Sequence, residues 1–222
     1  MIPMIYFIVK RAFDIIASCI GLILLSPIWI VAILGIELSD FGPIFYLAKR
    51  IGKDNKVFSM FKFRSMRVQK NANEKNFKAD TDRIFGFGKI IRQLKIDELP
   101  QLLNILLGDM SIVGPRPVAM DQADIMLDGK YSEVTRVRPG LTGSAALYDY
   151  IYGDSIEDEQ EYKRLVLPTR KKLELEYIRN MSLFYDMELI CLTIYCIGMT
   201  MIGKTPDKLL KHLEKKSESI ET

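Results

Sequence analysis

Histidine is almost absent from this 222-residue chain: the single one, His212, lies in a charged C-terminal stretch. Ser-His, Cys-His and His-metal catalysis are therefore nearly excluded. Cysteine is scarce as well. Cys19, Cys191 and Cys196 all lie in apolar stretches, and none has zinc-site spacing. A disulfide framework does not suit a chain of this size, so the three read as reduced, buried thiols. No Walker-type or dinucleotide glycine loop is present, and the GxG at Gly86 and Gly88 lacks the required spacing. A net charge of +3 is too small to point to nucleic acid. Carboxylates, lysines and arginines are left to carry any chemistry.

The composition, 49% hydrophobic and 27% charged, is that of a folded chain with a real core. Charge is absent from one long stretch. Between Asp14 and Glu37, residues 15–36 form 22 uncharged positions. As a straight helix they would measure about 33 Å, enough to cross a bilayer core of ~30 Å. No small-residue cleavage site follows, so a secretory signal is not expected. Ser26 and Pro27 interrupt the centre. Pro27 lacks an N–H and presses on the carbonyl of Ile23, which predicts a kink. The Ser26 hydroxyl can bond back to Leu22 or Ile23. Both flanks are basic: Lys10 and Arg11 before, Lys49, Arg50 and Lys53 after. Two cytoplasm-preferring flanks suit a helix–break–helix that enters and leaves by one face. A kinked span with its N-terminal tail outside is the competing reading.

From Lys49 to Lys70 there are eight basic residues and one acidic one, Asp54. Anionic headgroups or a polyphosphate would suit such a cluster, and so would a solvated face. Within it, two extended runs flank the turn-like GKDNK, which predicts a β-hairpin. Phe61 and Phe63 then share one strand face, Lys62 and Arg64 the other. Residues 71–82 read as a polar loop, and a short helix follows from about Gly88. Leu99, Leu102, Leu103, Leu106 and Leu107 mark an amphipathic helix, with Pro100 in its first turn and Gly108 past its end. Pro115 and Pro117 hold the backbone extended around Arg116. VRPGLTG reads as a turn. Residues 157–180 read as a solvent-facing charged helix, interrupted at Pro168. The apolar Leu189–Gly203 is short for a span and reads as a core or interfacial helix. The tail from Lys204 reads as frayed.

Asp97-Glu98 is the sharpest candidate site. A helix N-terminus stabilises negative charge, so a carboxylate there stays ionised and serves as a nucleophile or metal ligand. Two adjacent carboxylates repel, and Mg²⁺ with a diphosphate would relieve that. Ordinary helix capping gives the same pattern. Lys62, Arg64, Arg92, Arg116 and Arg138 are candidate phosphate ligands, several of them beside Pro/Gly-fixed backbone.

Five stretches in order resemble the bacterial sugar transferases, the small monotopic phosphoglycosyl transferases. They are KRAFDIIASCIGLILLSPI, GPIFYLAKRIGKDNKVFSMFKFRSM, DELPQLLNILLGDMSIVGPRP, RPGLTG and SLFYDMELICLT, covering about residues 10–195. The resemblance implies an α+β membrane-associated fold. It would have a re-entrant helix–break–helix at Ser26-Pro27, a small hairpin, and amphipathic or interfacial helices around one catalytic core. It implies residues 1–40 in the membrane, a catalytic domain over 41–203 and a charged tail over 204–222. It implies a monotopic enzyme on the cytoplasmic face of the bacterial inner membrane. Such an enzyme moves a sugar-1-phosphate from a UDP-sugar to polyprenyl (undecaprenyl) phosphate and releases UMP. Asp97 corresponds to the nucleophile and Glu98 to a holder of the Mg²⁺ cofactor. Lys62, Arg64, Arg92 and Arg116 correspond to phosphate or site residues, and Asp186 to an acidic position of the C-terminal motif. A membrane-bound Mg²⁺-dependent phosphohydrolase, a non-catalytic adaptor and a homodimer are left open. One departure follows RPGLTG: Ala146 stands where the family commonly has Gln, and the next segment is lengthened.

Overall fold

The structure is a computed structural model that describes residues 3–68, 81–156 and 158–220. Most of the expected loop, residues 71–80, lies outside the described residues.

Helix α1 (Met4–Leu24) and helix α2 (Ser26–Ser39) are bent by 60° at Leu25. The kink falls where Ser26-Pro27 predicts it. Pro27 occupies the first turn of α2, where its missing N–H is harmless. The Ser26 hydroxyl donates to the Ile23 carbonyl at 2.8 Å. α1 starts well before the uncharged run, so its 21 residues include Lys10, Arg11 and Asp14. That is possible because α1 is amphipathic in the reverse sense. Tyr6, Asp14 and Ser18 are buried with Lys10 on the same stripe, while Ile5, Ile8, Ile16, Ile20 and Ile23 are exposed.

The polar stripe docks on the rest of the chain. Strands β1 (Phe45–Ile51) and β2 (Val57–Phe63) form the expected antiparallel hairpin, in register Phe45↔Phe63 to Ile51↔Val57. Its turn takes the left-handed region at Asp54 and Asn55. α3 (Gly86–Gln93) begins two residues before the expected start, and a 3₁₀ turn (Ile96–Glu98) leads into α4 (Gln101–Leu107). Gly108, at φ 93°, ends α4 as predicted. Asn104 fixes α4 to the hairpin edge: its amide accepts from Phe61 N–H and donates to the Ser59 carbonyl, both at 2.8 Å.

β3 (Ser111–Val113), β4 (Val118–Ala119) and α5 (Ala123–Met126) follow. β4 joins the hairpin, in the order β2-β1-β4. The expected turn at RPGLTG instead contains β5 (Gly140–Thr142), paired parallel with β3. Only glycine permits this approach: a Cβ on Gly140 would lie 2.1 Å from the Gly114 nitrogen.

α6 (Ser144–Ile151), α7 (Glu159–Leu165), α8 (Leu167–Asn180), α9 (Leu183–Met201) and α10 (Asp207–Glu218) complete the fold. Four expectations change here. The 157–180 stretch does break near Pro168, but α8 is a core helix, with Leu173, Glu174, Leu175, Glu176 and Tyr177 buried. α9 is 19 residues long, because Asp186 turns inward and does not interrupt it; by length and composition it could cross a membrane. The stretch after Lys204 does not fray: α10 buries Leu209 and Leu213 in the same core as α6, α8 and α9. Of the cysteines only Cys196 is buried, since Cys19 and Cys191 lie on the exposed faces of α1 and α9.

Asp186 ties the helices together. It accepts from Tyr6 Oη at 2.9 Å, Lys10 Nζ at 2.8 Å and Tyr177 Oη at 2.7 Å. Arg11 donates to the Ile105 and Leu106 carbonyls at 2.6 and 3.1 Å, and Asp14 accepts from Ile112 N–H at 2.9 Å. Asp186→Ala would strand a buried ammonium and two hydroxyls. The expected loss is about 3–5 kcal/mol, measured as a lower unfolding midpoint in detergent, with Asp186→Asn losing less.

Candidate active site

Asp97 and Glu98 occupy the 3₁₀ turn before α4, with Lys95 in the left-handed region at φ 55° just ahead of them. The two carboxylates have different surroundings. Asp97 is 5% exposed, and among the described residues its Oδ1 has no hydrogen-bond partner. Burial pushes its carboxyl above the usual range, and Glu98 adds to the rise; Lys62, Arg92 and Lys95 pull the other way. The helix end alone predicts a readily ionised Asp97, but desolvation opposes it. Glu98 is half-buried, and its Oε1 is 3.2 Å from Lys62 Nζ. Burial would raise Glu98, but Lys62, Arg116 and Lys95 outweigh it and hold the carboxyl at about 2.

Glu98, Lys62 and Arg116 line one open cavity of about 350 Å³, together with Arg50, Gln101 and Ala146. Arg116 is built in from two helices. Its backbone N–H donates to both Glu174 oxygens, at 3.0 and 3.1 Å. Its Nε lies 3.7 Å from Asp149. Asp149 accepts from Tyr162 Oη at 2.6 Å, which in turn accepts from Arg170 at 2.9 Å. Asp149 and Glu98 raise the Arg116 guanidinium against its burial, so it stays charged.

The other predicted residues separate. Arg92 is half-buried at the end of α3, and its charge acts on Asp97. Arg64 points away from Lys62: its guanidinium clasps Asp40 and donates to the Pro43 carbonyl at 2.6 Å, joining the hairpin to the end of α2. It lies just past β2, so strand alternation no longer governs it. Arg138 donates to the Gly108 carbonyl at 2.7 Å, at the far end of α4. Asp186 belongs to the helix tie. Sequence reasoning missed Asp149, Tyr162, Arg170 and Glu174. The sequence signal was present in the lengthened segment and in charged residues spaced four apart on α8, but a buried and a solvated charged helix look alike in sequence.

Two carboxylates, an orphaned buried oxygen on one of them, and cations for phosphate form a donor set that fits Mg²⁺ completed by a substrate diphosphate. Among the described residues there is no cluster of three or more His, Cys, Asp or Glu side chains that could hold a metal unaided.

A profile of the bacterial sugar transferases matches residues 5–203. The chain belongs to the bacterial sugar transferase family. Among curated members of this sugar transferase family, it is 38% identical over 199 residues to UDP-N-acetylgalactosamine-undecaprenyl-phosphate N-acetylgalactosaminephosphotransferase of Aeromonas hydrophila, covering 87% of this chain and 44% of that one. It is 35% identical to UDP-glucose:undecaprenyl-phosphate glucose-1-phosphate transferase of Escherichia coli K12, covering 85% and 40%. It is 34% identical to the exopolysaccharide production protein ExoY of Rhizobium meliloti, covering 86% of both chains. The chain thus spans less than half the length of the first two relatives and most of the third.

Glu174 provides a test of the site's electrostatics. Burial lifts its carboxyl from 4.5 to about 7, partly offset by Arg170 and Arg116. The folded state therefore holds this proton where the unfolded chain has lost it. The associated stability is full below about pH 4.5 and lost as pH rises through about 7, an amount on the order of 3 kcal/mol. Glu174→Gln should flatten that part of the stability–pH curve, followed by thermal unfolding from pH 4.5 to 8.

Proposed function

We propose that this chain transfers a sugar-1-phosphate from a UDP-sugar to polyprenyl phosphate, most naturally undecaprenyl phosphate. UMP is released and a polyprenyl-diphosphate-sugar is formed, the first membrane step of a surface glycan or glycoprotein oligosaccharide. The observation that carries the reading is Glu98, next in the chain to the buried Asp97, set against Lys62 and Arg116 in one cavity. The names of the relatives support the same chemistry.

In the first step an Asp97 oxygen attacks the phosphorus that bears the sugar. The bond from that phosphorus to the bridging oxygen breaks, and UMP leaves with the oxygen. In the second step a polyprenyl phosphate oxygen attacks the aspartyl phosphosugar and frees Asp97. Burial makes the Asp97 carboxylate a strong nucleophile by stripping its water, while Lys62, Arg92 and Lys95 keep the ionised form within reach. Lys62 and Arg116 hold non-bridging oxygens as charge develops there. Glu98 would hold Mg²⁺, which when bound would neutralise charge on the diphosphate.

The reversed amphipathicity of α1 supports a monotopic placement on the cytoplasmic face of the inner membrane. The exposed isoleucines of α1 meet lipid, and the bend at Leu25 returns the chain to the same face. The site then sits where a soluble nucleotide sugar and a lipid phosphate can both reach it.

Intact-protein mass spectrometry with Mg²⁺ and a panel of UDP-sugars, without lipid acceptor, tests the mechanism. The expected result is an added mass of one phosphosugar, absent from Asp97→Asn, with UMP formation lower by at least about 10³-fold in the mutant. Arg116→Ala should retain the fold and lose about 10²–10³-fold in rate. Steady UMP or sugar-phosphate release without an adduct would instead indicate a phosphohydrolase. Full function in Asp97→Asn would indicate an adaptor.

A further inference from the structure

The far end of α4 carries a second charged groove, of about 430 Å³. Its lining includes Arg11, Lys53 and Arg138, together with Lys10, whose ammonium is paired with Asp186, and Arg136, which lies 3.6 Å from Glu133; Asp14 is the one acid in the lining. Asp14 is turned to the Ile112 N–H. Arg11 and Arg138 grip the last carbonyls of α4, which fixes their guanidinium groups in place. Lys53, at the hairpin turn, and Arg136 project from the rim and are exposed. Phe7, Val137 and Met181 add an apolar wall, and Phe7 belongs to the turns of α1 that expose Ile5, Ile8 and Val9.

We infer that this groove is a binding site for the phosphodiester headgroup of an anionic glycerophospholipid such as phosphatidylglycerol. The inference rests on the membrane placement proposed above. Between Arg11 and the bend at Leu25 lie about 14 residues, or ~21 Å of helix. With the bend deepest in the leaflet, Lys10 and Arg11 come to the level of the headgroups. An acyl chain leaving the groove along Phe7 meets the exposed face of α1 directly. The lipid is not the reacting acceptor. Asp97 and Glu98 precede the N-terminal end of α4, whereas the groove lies at its C-terminal end, about 10 Å away along the seven-residue helix. The two cavities share no lining residue. Part of the basic stretch from Lys49 to Lys70 thereby has a ligand, since Lys53 reaches this groove while Lys62 reaches the other.

Native mass spectrometry of the full chain in detergent, with phosphatidylglycerol or phosphatidylcholine of the same acyl chains, tests the site. The chain is expected to retain phosphatidylglycerol in preference. Lys53→Ala/Arg136→Ala alters only the exposed rim and should weaken that retention about thirtyfold, each cation beside an anionic headgroup being worth roughly a factor of five. Equal retention of the two lipids, or no change in the double variant, would overturn the inference. So would displacement of the lipid by inorganic phosphate, which would reveal a site for the free ion, or preferential retention of polyprenyl phosphate. Flotation with pure phosphatidylcholine vesicles reads membrane placement separately. Wild type and variant should float alike, and a wild type that stays in solution would count against the membrane reading and not against the charge of the groove.

Discussion

One buried carboxylate, Asp186, organises the molecule. It sits early in a mostly apolar helix and receives an ammonium and two phenol hydroxyls from α1 and α8. Breaking one partner of such a set leaves the others buried without a counterpart, so the set holds or fails together. Because α1 spends its polar side on this tie, its apolar side is left outward. The exposed apolar face and the buried charges are therefore one feature. A conventional amphipathic helix would hide the isoleucines and show the charges; here the surrounding medium is inferred to be lipid, and the order is inverted.

The same economy of charge shapes the site. Arg116 must stand charged next to Glu98 while half-enclosed by protein. Glu174 takes its backbone N–H and Asp149 faces its side chain. Tyr162 and Arg170 then hold Asp149. The charges of α8 and of the segment after Gly143 are thus turned inward, as supports for one cation. The dyad itself is asymmetric. Glu98 has three cations in its favour and is firmly ionised, whereas Asp97 lies deeper and is raised by burial. Adjacent residues in one turn receive different chemical characters from their depth and from the cations each one faces.

α4 links the two cavities. It is short, and both ends are occupied: the dyad turn precedes it, while Arg11 and Arg138 cap its last carbonyls. Asn104, fully buried in its middle, satisfies the edge of β2 and keeps Lys62 over Glu98. Helix α1, a sheet edge and the candidate nucleophile are therefore set in register by one helix of seven residues.

The local signals were legible without a structure. Ser26-Pro27 placed the kink, because proline cannot donate its backbone hydrogen bond wherever it sits. GKDNK placed the hairpin turn, Gly108 ended α4, and Asp97-Glu98 stood out as a candidate site. These depend on backbone geometry or on neighbours close in sequence. What only tertiary structure decided was which charges are inside. Residues 157–180 and the stretch after Lys204 look solvated in sequence, yet α8 runs through the core and α10 packs with it. The partners that make α8's burial tolerable, Asp149, Tyr162 and the Arg116 backbone, come from separate elements. Arg64 and Arg138 kept their charge but not their expected place, since a chain turn after β2 and a carbonyl at Gly108 claimed them. Periodicity reports which side of a helix differs from the other. Whether that side meets water, protein or lipid depends on partners distant in sequence, brought together only by the fold.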